Sequence, residues 1–210
     1  MNGPSRLRAL IKSSATRERE DAEEHCDLCA AAVAAEHRHV LERSTNQMLC
    51  TCRPCSLLFD HDAAGGDRYR LVPERRQPVD VDIDEAAWGS LRIPVELAFF
   101  VRNADGSIRA YYPSPAGRIE STLPLDSWSE IEAANPTLQT LQPEVEALLV
   151  NRVTRPARYW MTGIDACYRL VALFREHWSG IGGGDAVRRE VERFFDELAS
   201  RRGARVRSST

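Results

Sequence analysis

Five of the six cysteines fall within 30 residues, in the pattern Cys26-x2-Cys29 followed by Cys50-x-Cys52-x2-Cys55. A Cys-x2-Cys pair places two thiolates on one tight turn, close to the edge length of a metal coordination tetrahedron. Two such pairs complete a closed four-sulfur site, and the spacing predicts Cys26, Cys29, Cys52 and Cys55 as ligands of a single metal ion. Four thiolates leave no position for water. Such a site is structural: it cannot generate a nucleophile, and it contributes folding free energy of order 10 kcal/mol to a small module. The expected ion is Zn2+. Iron is the alternative, because rubredoxin holds one iron between two Cys-x2-Cys knuckles and carries one electron. Rubredoxin knuckles are often followed by glycine, whereas Ala30 and Ser56 follow here.

Three further residues complicate the site. Cys50 lies on the same face of an extended segment as Cys52 and competes with it as a ligand. His37 and His39 share a face in the same way, and either could replace a thiolate in a Cys3His site. Cys167 lies far along the chain within an apolar helical stripe, where core packing explains it. A third chemistry, that of an HNH nuclease, is suggested by the order His39, Asn46 and His61. A nuclease needs a phosphate-binding basic surface. In this region Arg38, Arg43 and Arg53 are offset by Asp27, Glu36, Glu42 and Asp60.

The elements that must position these residues can be sketched. Residues 1–24 are polar and charged without a period and read as a tail. Residues 25–60 form the metal module: a first knuckle, a short hairpin over 36–49 with a polar turn at Ser44-Thr45-Asn46, and a second knuckle leading into a helix at 56–59. That order fits a treble clef or a zinc ribbon about equally. Residues 61–80 connect to an α+β body over 81–201, and 202–210 form a second tail. In the body, residues 95–101 and 108–112 predict a β-hairpin around Asn103-Ala104-Asp105-Gly106. The segment 111–117, rich in tyrosine and proline, reads as a rigid loop. Helices are expected after Ser127, whose Ser-x2-Glu130 pattern is a capping box, and after Pro143, with Glu144 and Glu146 at the positive end of the dipole. A strand over 157–161 precedes helices opened by Asp165 and Asp185, the second following Gly182-Gly183-Gly184. The run Asp80, Asp82, Asp84 and Glu85 lacks the glycine and terminal glutamate of an EF-hand and reads as a solvated edge.

Composition narrows the function. The net charge is −3, and Lys12 is the only lysine. Neither favours a nucleic-acid partner, and the arginines near the C-terminus read as a solvated tail. No apolar run is long enough to span a bilayer. The N-terminus lacks the apolar stretch of a secretory signal, so a cytoplasmic location is expected, where clustered cysteines are metal ligands more often than disulfides. No constellation identifies a catalytic residue.

Taken together, the segments Cys-Asp-Leu-Cys, Glu-His-Arg-His, Leu-Cys-Thr-Cys-Arg-Pro-Cys-Ser-Leu-Leu-Phe, Leu-Ala-Phe-Phe, Tyr-Tyr-Pro-Ser-Pro-Ala-Gly, Leu-Pro-Leu-Asp-Ser-Trp, Glu-Ala-Leu-Leu-Val-Asn-Arg and Ile-Asp-Ala-Cys-Tyr carry a resemblance. They resemble a bacterial family of unknown function, over about residues 25–200, whose members are often encoded beside the subunits and maturation proteins of high-affinity nickel–iron hydrogenases. The resemblance implies a protein partner among hydrogenase subunits and a role as assembly scaffold, adaptor or electron-transfer accessory.

Overall fold

A computed structural model describes residues 24–60, 67–121, 125–178 and 184–201. Of the tails expected at 1–24 and 202–210, all but Glu24 lie outside the described residues, as do His61, Gly182 and Gly183. The chain divides into two units between Tyr69 and Arg70.

The first unit is built on a hairpin. Strand β1 (Arg38–Glu42) pairs antiparallel with β2 (Gln47–Thr51), with His39 opposite Cys50 and Glu42 opposite Gln47. Asn46 takes the left-handed backbone (φ 54°) that a tight turn demands and that asparagine tolerates. Glu42 is held by the guanidinium of Arg68, at 2.6 and 2.9 Å, and accepts the Thr45 hydroxyl. These bonds, the Arg68 guanidinium first, hold its carboxyl below the usual carboxylate range. A short helix, α1 (Arg53–Leu57), follows directly on β2, with Cys52 as its N-cap and proline in its first turn. It begins three residues earlier than expected. A third short strand, β3 (Tyr69–Leu71), spans the boundary between the two units.

The second unit carries a six-stranded, wholly antiparallel sheet. Its strands are β4 (Arg76–Pro78), β5 (Leu97–Arg102), β6 (Ile108–Ser114), β7 (Gly117–Ser121), β8 (Glu146–Asn151) and β9 (Arg158–Gly163), in the order β4-β9-β8-β5-β6-β7. Helices α2 (Glu85–Ser90) and α3 (Leu125–Ala134) pack one face of the sheet. There Trp88, Trp128 and Ile131 meet Ala98, Phe100, Leu148 and Met161. Helix α4 (Ile164–His177) packs against β6, β7, β8 and β9, and α5 (Gly184–Arg201) packs against α4 and β4. The fold is mixed helix and sheet, as expected. Strands β8 and β9 follow helix α3 in the chain and return to the middle of the sheet.

Three local expectations are corrected. Residues 143–151 do not form a helix. Glu144 takes φ 67°, which a right-handed helix cannot accommodate, and Glu146–Asn151 form β8, buried on both faces between β5 and β9. The run Ala147-Leu148-Leu149-Val150 is the continuous apolar signature of a central strand. The Tyr111–Pro113 segment is not a loop but the end of β6. The turn is confined to Ser114–Gly117, where Gly117 takes φ 120° and the Ser114 hydroxyl donates to the Gly117 carbonyl. Ser127 does not cap α3, which is already under way at Leu125; its hydroxyl points to the Ser90 carbonyl. The acidic run has a definite role. Asp84 is the N-cap of α2, and its side chain accepts the Ala87 N–H at 2.7 Å.

Candidate metal centre

The first knuckle is a tight reversal. His25 and Ala32 form an antiparallel bridge, the Cys26 N–H donates to Ala31, and the Ala30 N–H donates back to Cys26. Closing this turn puts Ala30 at φ 60°, a conformation glycine takes without penalty. Asp27 ties the knuckle to the hairpin: its N–H donates to the Cys50 carbonyl and its carboxylate accepts the Cys50 N–H at 2.6 Å. The second knuckle is the first turn of α1, which sets Cys52 and Cys55 one turn apart.

These two turns bring Cys26, Cys29, Cys52 and Cys55 together, with all four sulfurs within 4.8 Å of one another. Cys29 Sγ lies 3.6 Å from Cys52 Sγ. All the cysteines are free. Cys26 is buried, Cys52 and Cys55 are half-buried, and Cys29 is exposed. The four residues expected as ligands are therefore positioned to hold a metal ion, and the geometry leaves the identity of that ion open.

The electrostatics of the quartet are uneven. Burial alone would push the Cys26 thiol up. Backbone N–H groups of Cys52, Leu28 and Cys29 point at its sulfur and overcome burial, holding the thiol at about 6. The Cys55 thiol is pushed up to about 12, first by hydrogen bonding with the Cys52 and Cys29 sulfurs and then by burial. Cys29 is also raised, although a backbone bond from Ala31 acts in the other direction. The site thus favours one thiolate on the buried Cys26 sulfur, where backbone N–H groups stabilise the charge, and disfavours thiolates at Cys29 and Cys55.

Cys50 is not in the quartet. It clusters instead with His37 and His39, their ligand atoms again within 4.8 Å of one another. Cys167 is fully buried on α4, and burial raises its thiol well above the ordinary value. It is one of the buried residues of α4, together with Leu170 and Val171, which accords with a packing role.

The module around the quartet has little else to hold it. Among its described residues, the buried apolar side chains are Cys26, Val40 and Leu41, while Leu57 and Leu58 are each 61% exposed. A core that small does not fold a chain of this length unaided.

A family of unknown function, DUF5947, matches residues 25–202, and the chain belongs to that family. No curated protein and no solved structure matches it. Among the described residues, no helix is long and apolar enough to cross a membrane.

Proposed function

We propose that this chain is a zinc-stabilised assembly or accessory factor that serves a nickel–iron hydrogenase and has no catalytic activity of its own. The observation that carries the reading is the pairing of a four-cysteine cluster with a nearly coreless module. Zn2+ in a four-thiolate cage would supply the folding free energy that Val40 and Leu41 cannot. With every coordination position filled by sulfur, the ion would act as a staple for a rigid platform. Exposed Leu57 and Leu58, beside Cys55 on and just after α1, give that platform an apolar patch suited to a protein partner. The hydrogenase as partner rests on the family resemblance.

A second reading is favoured by one observation. The backbone N–H groups directed at the Cys26 sulfur also suit a redox-active iron, whose potential they would tune. In that case the chain would be a rubredoxin-like electron-transfer accessory.

Two measurements test the proposal. Metal analysis of protein expressed with both zinc and iron supplied should find zinc and a colourless sample. Red protein bleached by dithionite would favour the electron-transfer reading instead. Co-purification with hydrogenase subunits should occur with the wild type and fail in Leu57→Glu/Leu58→Glu at unchanged metal content. Retention of the complex in that variant would contradict the proposed surface.

A further inference from the structure

The residues left out of the sulfur quartet form a constellation of their own. His39 and Cys50 are direct cross-strand partners in the β1–β2 hairpin, so their side chains rise from the same face of the sheet as near neighbours. His37 lies two residues before His39. Its ring stands over that of His39, with centroids 4.6 Å apart and the planes inclined by 50°. Two imidazoles and a thiol therefore converge from adjacent strands, with ligand atoms within 4.8 Å of one another. A tetrahedral ion with Zn–N and Zn–S bonds of ordinary length holds such atoms about 3.3–3.8 Å apart. The atoms would have to close by at most about 1–1.5 Å to hold an ion.

The hydrogen bonding of His37 adds an independent indication. Its Nδ1 lies 2.9 Å from the Ala34 carbonyl oxygen. A carbonyl only accepts, so in this bond Nδ1 carries the proton and, in the neutral ring, the lone pair belongs to Nε2. That Nε2 is buried and has no hydrogen-bond partner, on a side chain only 8% exposed. A buried imidazole nitrogen normally finds a partner. Metal-ligating histidines show this arrangement: one ring nitrogen donates to a backbone carbonyl or carboxylate, which fixes the ring, and the other faces the ion. The carboxylate of Glu24, 3.5 Å from the same Nδ1, stands on the correct side to assist.

We propose that His37, His39 and Cys50 form a second metal site, separate from the sulfur quartet and with which they share no residue. Two nitrogens and one sulfur select a first-row divalent cation of borderline softness, such as Zn2+ or Co2+. Three protein ligands fill three of four tetrahedral positions and leave the fourth for water or an exogenous ligand. Each of the three residues is half-buried taken whole, and none is fully enclosed. The second site is thus an exchangeable centre, in contrast to the closed quartet. It does not depend on the assembly-factor reading.

The test uses the full chain, freed of metal and titrated with Co2+. The wild type should take up two equivalents, and His37→Ala/His39→Ala and Cys50→Ser should each take up one. Cys55→Ser should keep the equivalent belonging to the histidines. Saturation of the wild type at one equivalent, or retention of two by the histidine variant, would overturn the proposal. Should either variant fail to fold, X-ray absorption of the wild type loaded with two Zn2+ decides: the average shell must contain imidazole nitrogen, and a pure sulfur shell overturns the site. The outcomes separate the two metal sites. One equivalent in the wild type and none in Cys55→Ser would leave the quartet standing and remove the second site.

Discussion

Cys29 Sγ stands 3.6 Å from Cys52 Sγ, although 23 residues separate them in the chain. A disulfide would need about 2.05 Å, and sulfurs on adjacent corners of a zinc tetrahedron stand about 3.8 Å apart. The separation suits two ligands of one ion. It is set by two independent turns, the Ala30 reversal and the first turn of α1. Cys55→Ser removes one corner of this arrangement. It should release the ion and loosen residues 24–60, seen as rapid amide exchange there, while the six-stranded sheet remains protected. Cys167→Ala, by contrast, should leave metal content unchanged and cost about 1 kcal/mol of packing.

Metal uptake should release protons. The Cys55 thiol at about 12 and the raised Cys29 thiol are both protonated at pH 7.5 in the empty site, and both must ionise to bind an ion. Cys26, held at about 6, is already a thiolate there. Apparent affinity should therefore rise with pH across the neutral range. Titration calorimetry in two buffers of different ionisation enthalpy should show at least two protons released per ion. Release of none would mean that Cys29 and Cys55 are not ligands.

Ala30 bears the cost of the first knuckle. A left-handed backbone costs a non-glycine residue roughly 1–2 kcal/mol, and glycine is free of it at some expense in chain entropy. Ala30→Gly should stabilise the metal-bound module by up to about 1 kcal/mol, measured as an upward shift in the denaturant midpoint for metal release. A downward shift would show that the strain is absent.

Gly163, where β9 hands over to α4, has no room for a side chain. A Cβ there would lie 2.4 Å from the Pro73 carbonyl oxygen and 2.9 Å from Val72 Cγ1. Backbone must move to admit it, so Gly163→Ala should destabilise the second unit by about 2–3 kcal/mol. Thermal unfolding checks this.

Glu146, at the start of β8, is 1% exposed and is reached by Arg75 at 3.2 Å and by the Gln142 N–H at 2.9 Å. Arg75→Met would strand a buried carboxylate with one donor. The expected loss is about 3 kcal/mol, and Arg75→Met/Glu146→Gln should recover much of it in a double-mutant cycle.

The quartet was legible because a short-range spacing rule governs it: both x2 turns are local, and the hairpin between them needs only a polar turn at Asn46. The histidine–cysteine cluster was legible only as a set of loose candidates. Its assembly depends on register, with His39 opposite Cys50, and register is fixed by the exact turn length. In the body, the hairpin of β5 and β6 followed from its apolar run and turn residues, and helices α4 and α5 from their start signals at Asp165 and Asp185. Strand β8 was misread because Pro143, Glu144 and Glu146 mimic a helix start. The positive φ of Glu144 and the ion pair of Glu146 with Arg75 are set by tertiary contacts that no local pattern displays.

The central claim is a closed sulfur cage, and X-ray absorption at the zinc edge tests it most directly. The full chain, freed of metal and loaded with a single equivalent of Zn2+, should show four sulfur scatterers at about 2.3 Å and no light-atom shell. A shell of three or fewer sulfurs completed by nitrogen or oxygen would contradict the cage.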